Sequence, residues 1–417
     1  MEKKVKVGVI GVGRGRSMIN YCVNAENAQV VAICDKWEKA LDRVRSYYGE
    51  SIAYYTSYDE FLKHDMDVVI LANYSTEHAP FAIKAMQAGH HVISEVLPFQ
   101  NMKEAVELIE CVEKTGKIYC YAENYCYMEA PWEMRKIYQA GRIGELDYAE
   151  GEYIHNCERN WPDITYGDKD HWRNRISAFF YCTHSFGPIR HITGLRPVKV
   201  VGFEAPFRPI CYRMGYRAGV SGTEMVTMEN GGIVRSTHGN LKRNSVWYSL
   251  QGTLGSMETQ REMADSTRYI NHLFYDLLPA DDSYLTFEHK SYDPKDELSE
   301  KAGSAGHGGS DYRCMWNAME KILGNDKADT IDVYEAVEMC MVGLFAHFSV
   351  LSGGKEMLIP NLRNPEERDK WRNDTRCTDP KAAGDQLIPS VSTGTPDIPD
   401  SVYDDIRTIF ESRHPQL

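Results

Sequence analysis

The chain has no surplus of positive charge: 47 lysines and arginines stand against 60 acidic residues, a formal net charge of −13. Binding a phosphate backbone needs clustered Lys and Arg, so neither nucleic acid nor an anionic membrane surface is an expected partner. No apolar run reads as long enough to span a bilayer. Met1-Glu2-Lys3-Lys4 passes straight into the apolar run Val5–Ile10, without an apolar signal segment and small-residue cleavage site. A cytoplasmic location is therefore expected. Cysteine is present but not organised: the 11 residues are odd in number, scattered, and form no CxxC pair. That pattern speaks against a disulfide scaffold and a cysteine zinc site, and for free thiols in a reducing compartment. Cys120 and Cys126 flank Glu123 and read as packing residues. There is no internal repeat and no low-complexity tract.

What is present is ample apolar material. Hydrophobic residues make up 42% of 417 positions, enough for the cores of about two domains. Residues 1 to about 122 alternate short β-branched runs with helical stretches. Strands are expected at Val5–Ile10, Gln29–Cys34, Val68–Leu71, His91–Ser94 and Ile118–Tyr121. Helices are expected at Ser17–Ala25, Trp37–Tyr48, Pro80–Ala88 and Met102–Lys114, with Gly89 as a C-terminal cap. Such alternation means a parallel sheet wound on both faces.

From about Tyr125 the texture changes. A helix at Trp132–Ala140 precedes Leu146–Ile154, Val198–Phe203, Glu224–Met228, Gly232–Thr237, Ser245–Gln251 and Gly255–Thr259. Turns separate these runs without intervening helices, which predicts a mostly antiparallel sheet. Helices at Tyr312–Leu323 and Thr330–Leu351 follow, and long loops are expected at Asn156–Asn174 and Leu277–Gly306. The stretch Asp379–Pro399 is rich in Pro, Gly, Ser and Thr and reads as an arm packing on its own or a neighbouring subunit. The expected fold is thus α/β: a Rossmann domain over 1–124, a substrate-binding and catalytic α/β domain with a large open sheet over 125–378, and an extended C-terminal arm over 379–417. An open sheet face would allow a homo-oligomer.

Gly11-Val12-Gly13-Arg14-Gly15-Arg16 follows the first strand and opens the first helix. Gly11 permits a tight turn, Gly13 lets backbone approach a pyrophosphate, and the helix N-terminus offers amide N–H groups to that anion. The third glycine of the usual fingerprint is replaced by Arg16, with Gly15 one position earlier. Asp35 ends the second strand 22 residues past Gly13. A carboxylate there accepts hydrogen bonds from both adenosine ribose hydroxyls and repels a 2′-phosphate, which favours NAD over NADP. Arg14 and Arg16 are candidates for the phosphates. The plainer reading is a glycine turn with Asp35 capping a helix and the arginines solvated.

Four segments are dense in titratable groups: Glu123–Tyr125, Glu152–His155, Tyr181–Pro188 and His307–Tyr312. Tyr181 and His184 stand three apart, so on a helical turn they share a face and could exchange protons with a sugar hydroxyl. His307 and Asp311, four apart across two glycines, suit a site at the head of a helix, or merely a cap and a solvated turn. His171-Trp172-Arg173 suits a sugar by stacking and hydrogen bonding, or packs a loop. Glu123, His155, His184 and His307 show no metal-ligand spacing, and whether a metal assists is open.

These landmarks together resemble the Gfo/Idh/MocA superfamily of NAD(P)-dependent sugar oxidoreductases over about residues 5–350. The resemblance rests on Gly11–Arg16, Asp35, Ala72 through His78, Ala88-Gly89-His90-His91-Val92, Glu95, and His184 on a helix ending at Gly194. It implies that Gly11, Gly13, Arg14, Gly15, Arg16, Asp35, Asn73, His78 and Glu95 hold NAD. Two departures stand out. Ordinary dehydrogenases of the superfamily carry Glu-Lys-Pro, whereas this chain reads Glu95-Val96-Leu97-Pro98. They also place an Asp four residues before the His, where this chain has Phe180. Both departures look like the NAD-dependent glycosidases of glycoside hydrolase family 109. Those share a Glu-Val beginning, a Tyr-x-Thr-His-x-x-Gly-Pro segment matched by Tyr181, Thr183, His184, Gly187 and Pro188, and a His-Gly-Gly segment matched by His307–Gly309.

The resemblance implies a redox-neutral glycoside hydrolase that oxidises sugar carbon 3 transiently and expels the aglycone by elimination. Tyr181 and His184 would then carry the proton transfers, His307 and Glu123 would aid aglycone or water, and His155, Trp172, Arg173 and Asp311 would bind a small-molecule glycoside. Two other readings stay open: a net NAD-dependent glycoside 3-dehydrogenase, and a non-catalytic NAD-binding sensor. The sugar, anomer and linkage are not carried over.

Overall fold

The computed structural model describes residues 3–261, 271–277, 286–303 and 305–415, with the strands over 271–277 and 286–289 described through their backbone. The chain divides into two compact units that interleave in sequence. The first comprises Met1–Tyr127, Glu297–Val337 and Leu362–Thr375, and the second comprises Met128–Asp296, Glu338–Asn361 and Arg376–Leu417. A linear division after residue 124 was the expectation; the chain instead returns to its first unit twice.

In the first unit, β1 (Val5–Ile10), β2 (Ala28–Cys34), β3 (Ala53–Tyr55), β4 (Val68–Leu71), β5 (His91–Ser94) and β6 (Tyr119–Tyr121) form a parallel sheet in the order β3-β2-β1-β4-β5-β6. That is the doubly wound order, in which the chain reverses direction beside β1 and leaves a crevice at the strand ends. Val68 to Leu71 and Val92 to Ile93 are fully buried, as a sheet covered on both faces requires. Helices α1 (Arg16–Asn24), α2 (Glu38–Tyr48), α3 (His78–Gln87) and α4 (Met102–Thr115) connect the strands. Helix α4 shows why its ends lie where they do. The Asn101 side chain accepts from the Glu104 amide at 3.0 Å, and the Glu104 carboxylate accepts from the Gln100 amide at 2.7 Å. Gly116 then closes the helix in the left-handed region. Strand β3 was not anticipated, because three half-buried edge residues leave no alternation to read.

The second unit holds α5 (Glu129–Gln139) and a nine-stranded mixed sheet. Its strands are β7 (Leu146–Ile154), β8 (Pro197–Ala205), β9 (Ser221–Met228), β10 (Ile233–Gly239), β11 (Ser245–Gly252), β12 (Gly255–Thr259), β13 (Asn271–Leu277), β14 (Thr286–Tyr292) and β15 (Met357–Leu358). Their order is β14-β13-β12-β11-β7-β10-β9-β8-β15, with only β7 and β10 parallel among the paired strands. The long loop expected over Leu277–Gly306 is corrected: it contains β14 and a short helix, Ser299–Ala302, while 278–285 and 304 lie outside the described residues.

Helix α6 (Cys182–Thr193) lies on this sheet with every residue from Cys182 to Ile192 buried. The approach is close because of Gly151 on β7, where an added Cβ would sit 2.0 Å from the Ser185 carbonyl oxygen. Ser185 and Ser236 hydroxyls meet at 2.8 Å, joining the helix to β10. Arg190 pairs with Glu338 at 2.6 Å with both side chains buried, so each charge is neutralised by the other.

In the first unit again lies α7 (Ser310–Ile322). Helix α8 (Val333–Leu351) runs for 19 residues and is apolar enough, by length and composition, to cross a membrane, which corrects the expectation of no such run. Most of it is buried inside the protein, Ala336, Met339, Met341 and Phe345 among its covered residues, which is the pattern of a core helix. The C-terminal arm is likewise corrected from extended to partly helical. Helix α9 (Asp400–Arg413) places Arg413 and His414 on Asp163 at 2.8 and 2.9 Å, and Tyr403 donates to the Gly215 carbonyl.

Gly151→Ala is expected to destabilise the second unit by about 1–3 kcal/mol, because the new methyl must push α6 off β7. Thermal unfolding monitored by circular dichroism would read this. An unchanged midpoint would mean the helix is not seated as closely as described.

Candidate active site

In the first unit the glycine loop joins β1 to α1. Gly11 has φ +91°, and a Cβ there would lie 2.3 Å from the Ala72 carbonyl oxygen, so only glycine lets β1 turn beside β4. The Gly15 amide donates to the Gly11 carbonyl at 3.1 Å, and Ile19 continues the ladder onto Gly15 at 2.9 Å. At Gly13 a Cβ would meet nothing within 4 Å, so its missing side chain leaves open space over the helix head. Asp35 closes the other side. Its carboxylate accepts from the Val12 amide at 2.9 Å and from the Trp37 amide at 2.9 Å, one oxygen each, with lone pairs to spare.

Farther along the strand ends, Asn73 donates to Glu77 at 3.1 Å. His78 is buried and its Nδ1 donates to the Leu97 carbonyl at 2.9 Å, while burial pulls its pKa down to about 4. The Asn73 Oδ1 and the His78 Nε2 are buried without a hydrogen-bond partner among the described residues. Buried polar atoms left without partners are costly, so they invite a polar ligand. Together the open Gly13, the Asp35 carboxylate and these two acceptor atoms fit a dinucleotide, whose ribose hydroxyls and carboxamide donate, at the doubly wound crevice.

Arg14, a candidate for the phosphates, has protein partners: its guanidinium grips Asp311 through two hydrogen bonds, at 2.7 and 2.9 Å, and pairs with Glu95 at 2.7 Å. Ser17 accepts a further bond from Arg14 at 2.7 Å. Arg16 lies over the Tyr47 ring at 5.4 Å. Asp311, expected among substrate-binding groups of the second domain, sits in the first turn of α7 in the first unit. Asn124 donates to Asp311 at 3.0 Å, and His307 Nδ1 lies 3.2 Å from both of its carboxylate oxygens. Burial pushes the Asp311 carboxyl upward, but bonds from His307 and Arg14 outweigh it and hold it well below the usual range. Burial also raises the Glu95 carboxyl, against the lowering pull of Arg14. Glu123 is fully buried and accepts from the Tyr125 amide at 3.3 Å.

In the second unit Tyr181 occupies the N-cap of α6 and His184 its third residue. Their rings stack with centroids 5.6 Å apart, which realises the shared helical face. Tyr153, on β7, meets His184 edge-on at 4.6 Å and donates or accepts at 2.9 Å with His155 Nδ1. Arg173 lies over the rings of Trp172 and Tyr181 at 4.7 and 5.0 Å. The Tyr248 hydroxyl donates to the His184 carbonyl at 2.5 Å, fixing the helix head to β11. His155, Tyr153, His184, Tyr181, Trp172 and Arg173 thus form one continuous aromatic and cationic cluster.

The expected catalytic residues therefore fall into two groups, Glu123 and His307 in the first unit and Tyr181 and His184 in the second. Sequence reasoning did not single out Tyr153 or Asn124, although both sit inside segments noted for titratable density. Nor did it find the Arg14–Asp311 pair, whose members are 297 residues apart. No group of three or more His, Cys, Asp or Glu that could hold a metal occurs among the described residues.

Residues 5–123 match the family profile described as the oxidoreductase family with an NAD-binding Rossmann fold. Residues 203–372 match the profile of the glycosyl hydrolase 109 C-terminal domain. A glycosyl hydrolase family 109 protein of Phocaeicola vulgatus is 25% identical over 397 residues, covering 86% of this chain and 84% of the relative. One of Streptomyces coelicolor is 27% identical over 420 residues, covering 91% and 88%. Among solved structures, an oxidoreductase from Agrobacterium radiobacter, in complex with NAD+, L-tartaric acid and magnesium, superposes with a TM-score of 0.69. Its identity is 14%, and the match covers 85% of this chain and 98% of that one, so it shares the fold. Residues 5–123 thus carry the NAD-binding Rossmann domain of the Gfo/Idh/MocA oxidoreductase family, and residues 203–372 carry the C-terminal domain of glycosyl hydrolase family 109.

Proposed function

We propose that this protein is an NAD-dependent, redox-neutral glycoside hydrolase. The observation that carries the reading is the stacked Tyr181–His184 pair at the head of α6, ringed by Tyr153, Trp172 and Arg173. The NAD-binding Rossmann profile, the family 109 C-terminal profile and the family 109 relatives support the same class. The absence of a lysine after Glu95, where Val96 and Leu97 stand, argues against a plain dehydrogenase.

Bound NAD would supply a hydride acceptor for sugar carbon 3 and return the hydride at the end, so no net oxidation results. Gly11, Gly13, Gly15, Asp35, Asn73, His78 and Glu95 are the residues proposed to hold it. Arg16 lies at the head of α1 and remains a candidate for the phosphates, whereas Arg14 supports the site from behind through its carboxylates. Tyr181 and His184 are proposed for the proton transfers at carbons 2 and 3. A ketone at carbon 3 acidifies the carbon 2 proton; its removal expels the aglycone from carbon 1, and water then adds across the new double bond. No pair of carboxylates flanking the glycosidic bond is needed. Because the anomeric bond breaks by elimination, both anomers are compatible. The flat rings of Trp172 and Tyr181, backed by the Arg173 cation, suit the apolar face of a pyranose, with His155 and Tyr153 as hydrogen-bonding partners. His307 and Glu123 are proposed to aid aglycone departure or water addition.

Incubation with aryl glycosides and no added nicotinamide is expected to release aglycone without accumulating NADH absorbance. Stoichiometric NADH would indicate a net 3-dehydrogenase, and neither product would indicate a non-catalytic NAD-binding protein. His184→Ala and Tyr181→Phe are each expected to lower kcat/KM by about 10²–10⁴-fold while NAD remains bound. Near-full activity in a folded His184→Ala variant would remove that residue from the mechanism. Gly13→Val is expected to fold normally, since its side chain enters open space, yet to weaken NAD about tenfold or more by obstructing close approach of the pyrophosphate. Isothermal titration with NAD would measure this, and unaltered affinity would place the dinucleotide elsewhere.

A further inference from the structure

We infer that Asp311 and Arg14 are positioning residues for His307, setting its tautomer so that Nε2 is the atom that exchanges protons. The inference deepens the proposed glycosidase reading and rests on it for the reaction served. Asp311 is 5% exposed and receives four hydrogen-bonding neighbours: both Arg14 terminal nitrogens, the Asn124 amide and His307 Nδ1. A carboxylate so surrounded stays ionised, which its depressed pKa reflects, and an ionised carboxylate can only accept. His307 Nδ1 must therefore carry a proton. In the neutral imidazole, Nε2 is then the bare nitrogen, free to act as an acceptor.

The backbone around this pair is built for the same end. His307 has φ +54°, a left-handed conformation that non-glycine residues seldom adopt. Gly306 is equally constrained, because a Cβ there would lie 2.3 Å from Asp311 Oδ2. Gly308 and Gly309, with φ +69° and +95°, carry the chain from His307 into α7. An unfavourable backbone held against a buried carboxylate is a sign of a functional constraint. The His307 side chain is 41% exposed, whereas Asp311 behind it is buried, so the ring reaches outward from a fixed base. The Arg14 nitrogen that donates to Asp311 Oδ1 also pairs with Glu95 at 2.7 Å, so two carboxylates hold the guanidinium in place against Asp311. A proton taken from water or a hydroxyl onto Nε2 makes the ring cationic, and the adjacent carboxylate balances that charge. Passing the proton on restores the neutral ring, with no electrons exchanged.

The test uses full-length protein labelled with ¹⁵N-histidine, with the His307 signals assigned by comparison with His307→Gln. Two-bond nitrogen–proton correlations should show His307 as the Nδ1–H tautomer in the parent protein. Asp311→Asn should move it toward Nε2–H, and should lower kcat on aryl glycosides by about 10²-fold or more with KM changed far less. Arg14→Lys, which keeps the charge but loses the two-pronged grip, should give an intermediate effect on both readouts. Thermal melts confirm which variants fold; should Asp311→Asn fail to fold, the parent's tautomer and Arg14→Lys still decide. An Nε2–H tautomer in the parent protein, or one unmoved by either variant, would overturn the inference. So would a loss confined to NAD affinity with kcat intact, since that would make the cluster a cofactor support. If the parent releases no aglycone from any glycoside, the glycosidase reading fails while the tautomer result still stands by itself.

Discussion

A guanidinium held between two buried carboxylates organises the first unit. Arg14 leaves the glycine loop and meets Glu95 at the end of β5 and Asp311 at the start of α7. Burying the Glu95 and Asp311 carboxylates is costly, and the partly exposed Arg14 cation offsets that cost by pairing with both. Once made, the pairing ties three distant chain segments together. It ties the start of α7 to the head of α1, draws Asn124 to the same carboxylate, and fixes the base on which His307 stands. The dinucleotide loop and the His-Gly-Gly segment therefore cannot be understood separately.

The second unit solves a different problem with different means. Its cluster is assembled from ring faces and one cation over them, supported by a helix that lies unusually close to its sheet. Gly151 and the Ser185–Ser236 hydrogen bond set that closeness, and the Tyr248 hydroxyl anchors the helix head. Tyr181 and His184 then inherit a rigid base. Rigid support with an aromatic surround is the arrangement that the proton-transfer role proposed for these two residues calls for.

The strand runs of the first 122 residues were legible because parallel strands covered on both faces are continuous β-branched runs bounded by turns. Gly11, Gly13 and Asp35 were legible because each answers to a local need: a tight turn, a bare backbone, a carboxylate at a strand end. The Tyr181–His184 spacing forecast a shared helical face, and the rings do stack. Strand β3 escaped notice because it is three residues long and carries no alternation. Strand β14 was taken for loop, hidden beyond a polar stretch. The apolar length of α8 was underrated because Glu335 and Glu338 punctuate it; one of these glutamates is neutralised by Arg190 in the core.

The sequence by itself determined the parallel α/β beginning, the antiparallel texture that follows, the NAD-type loop and the residue types at the candidate site. Those properties depend on neighbours within a few positions, where periodicity, caps and turn chemistry act. Only the tertiary structure decided that Arg14 pairs with Asp311, that Asp311 and His307 belong with the first unit, and that Tyr153 completes the ring cluster around His184. Each of these depends on a buried charge or ring finding a partner many residues away, and the cost of leaving it alone in the interior chooses that partner without regard to distance along the chain.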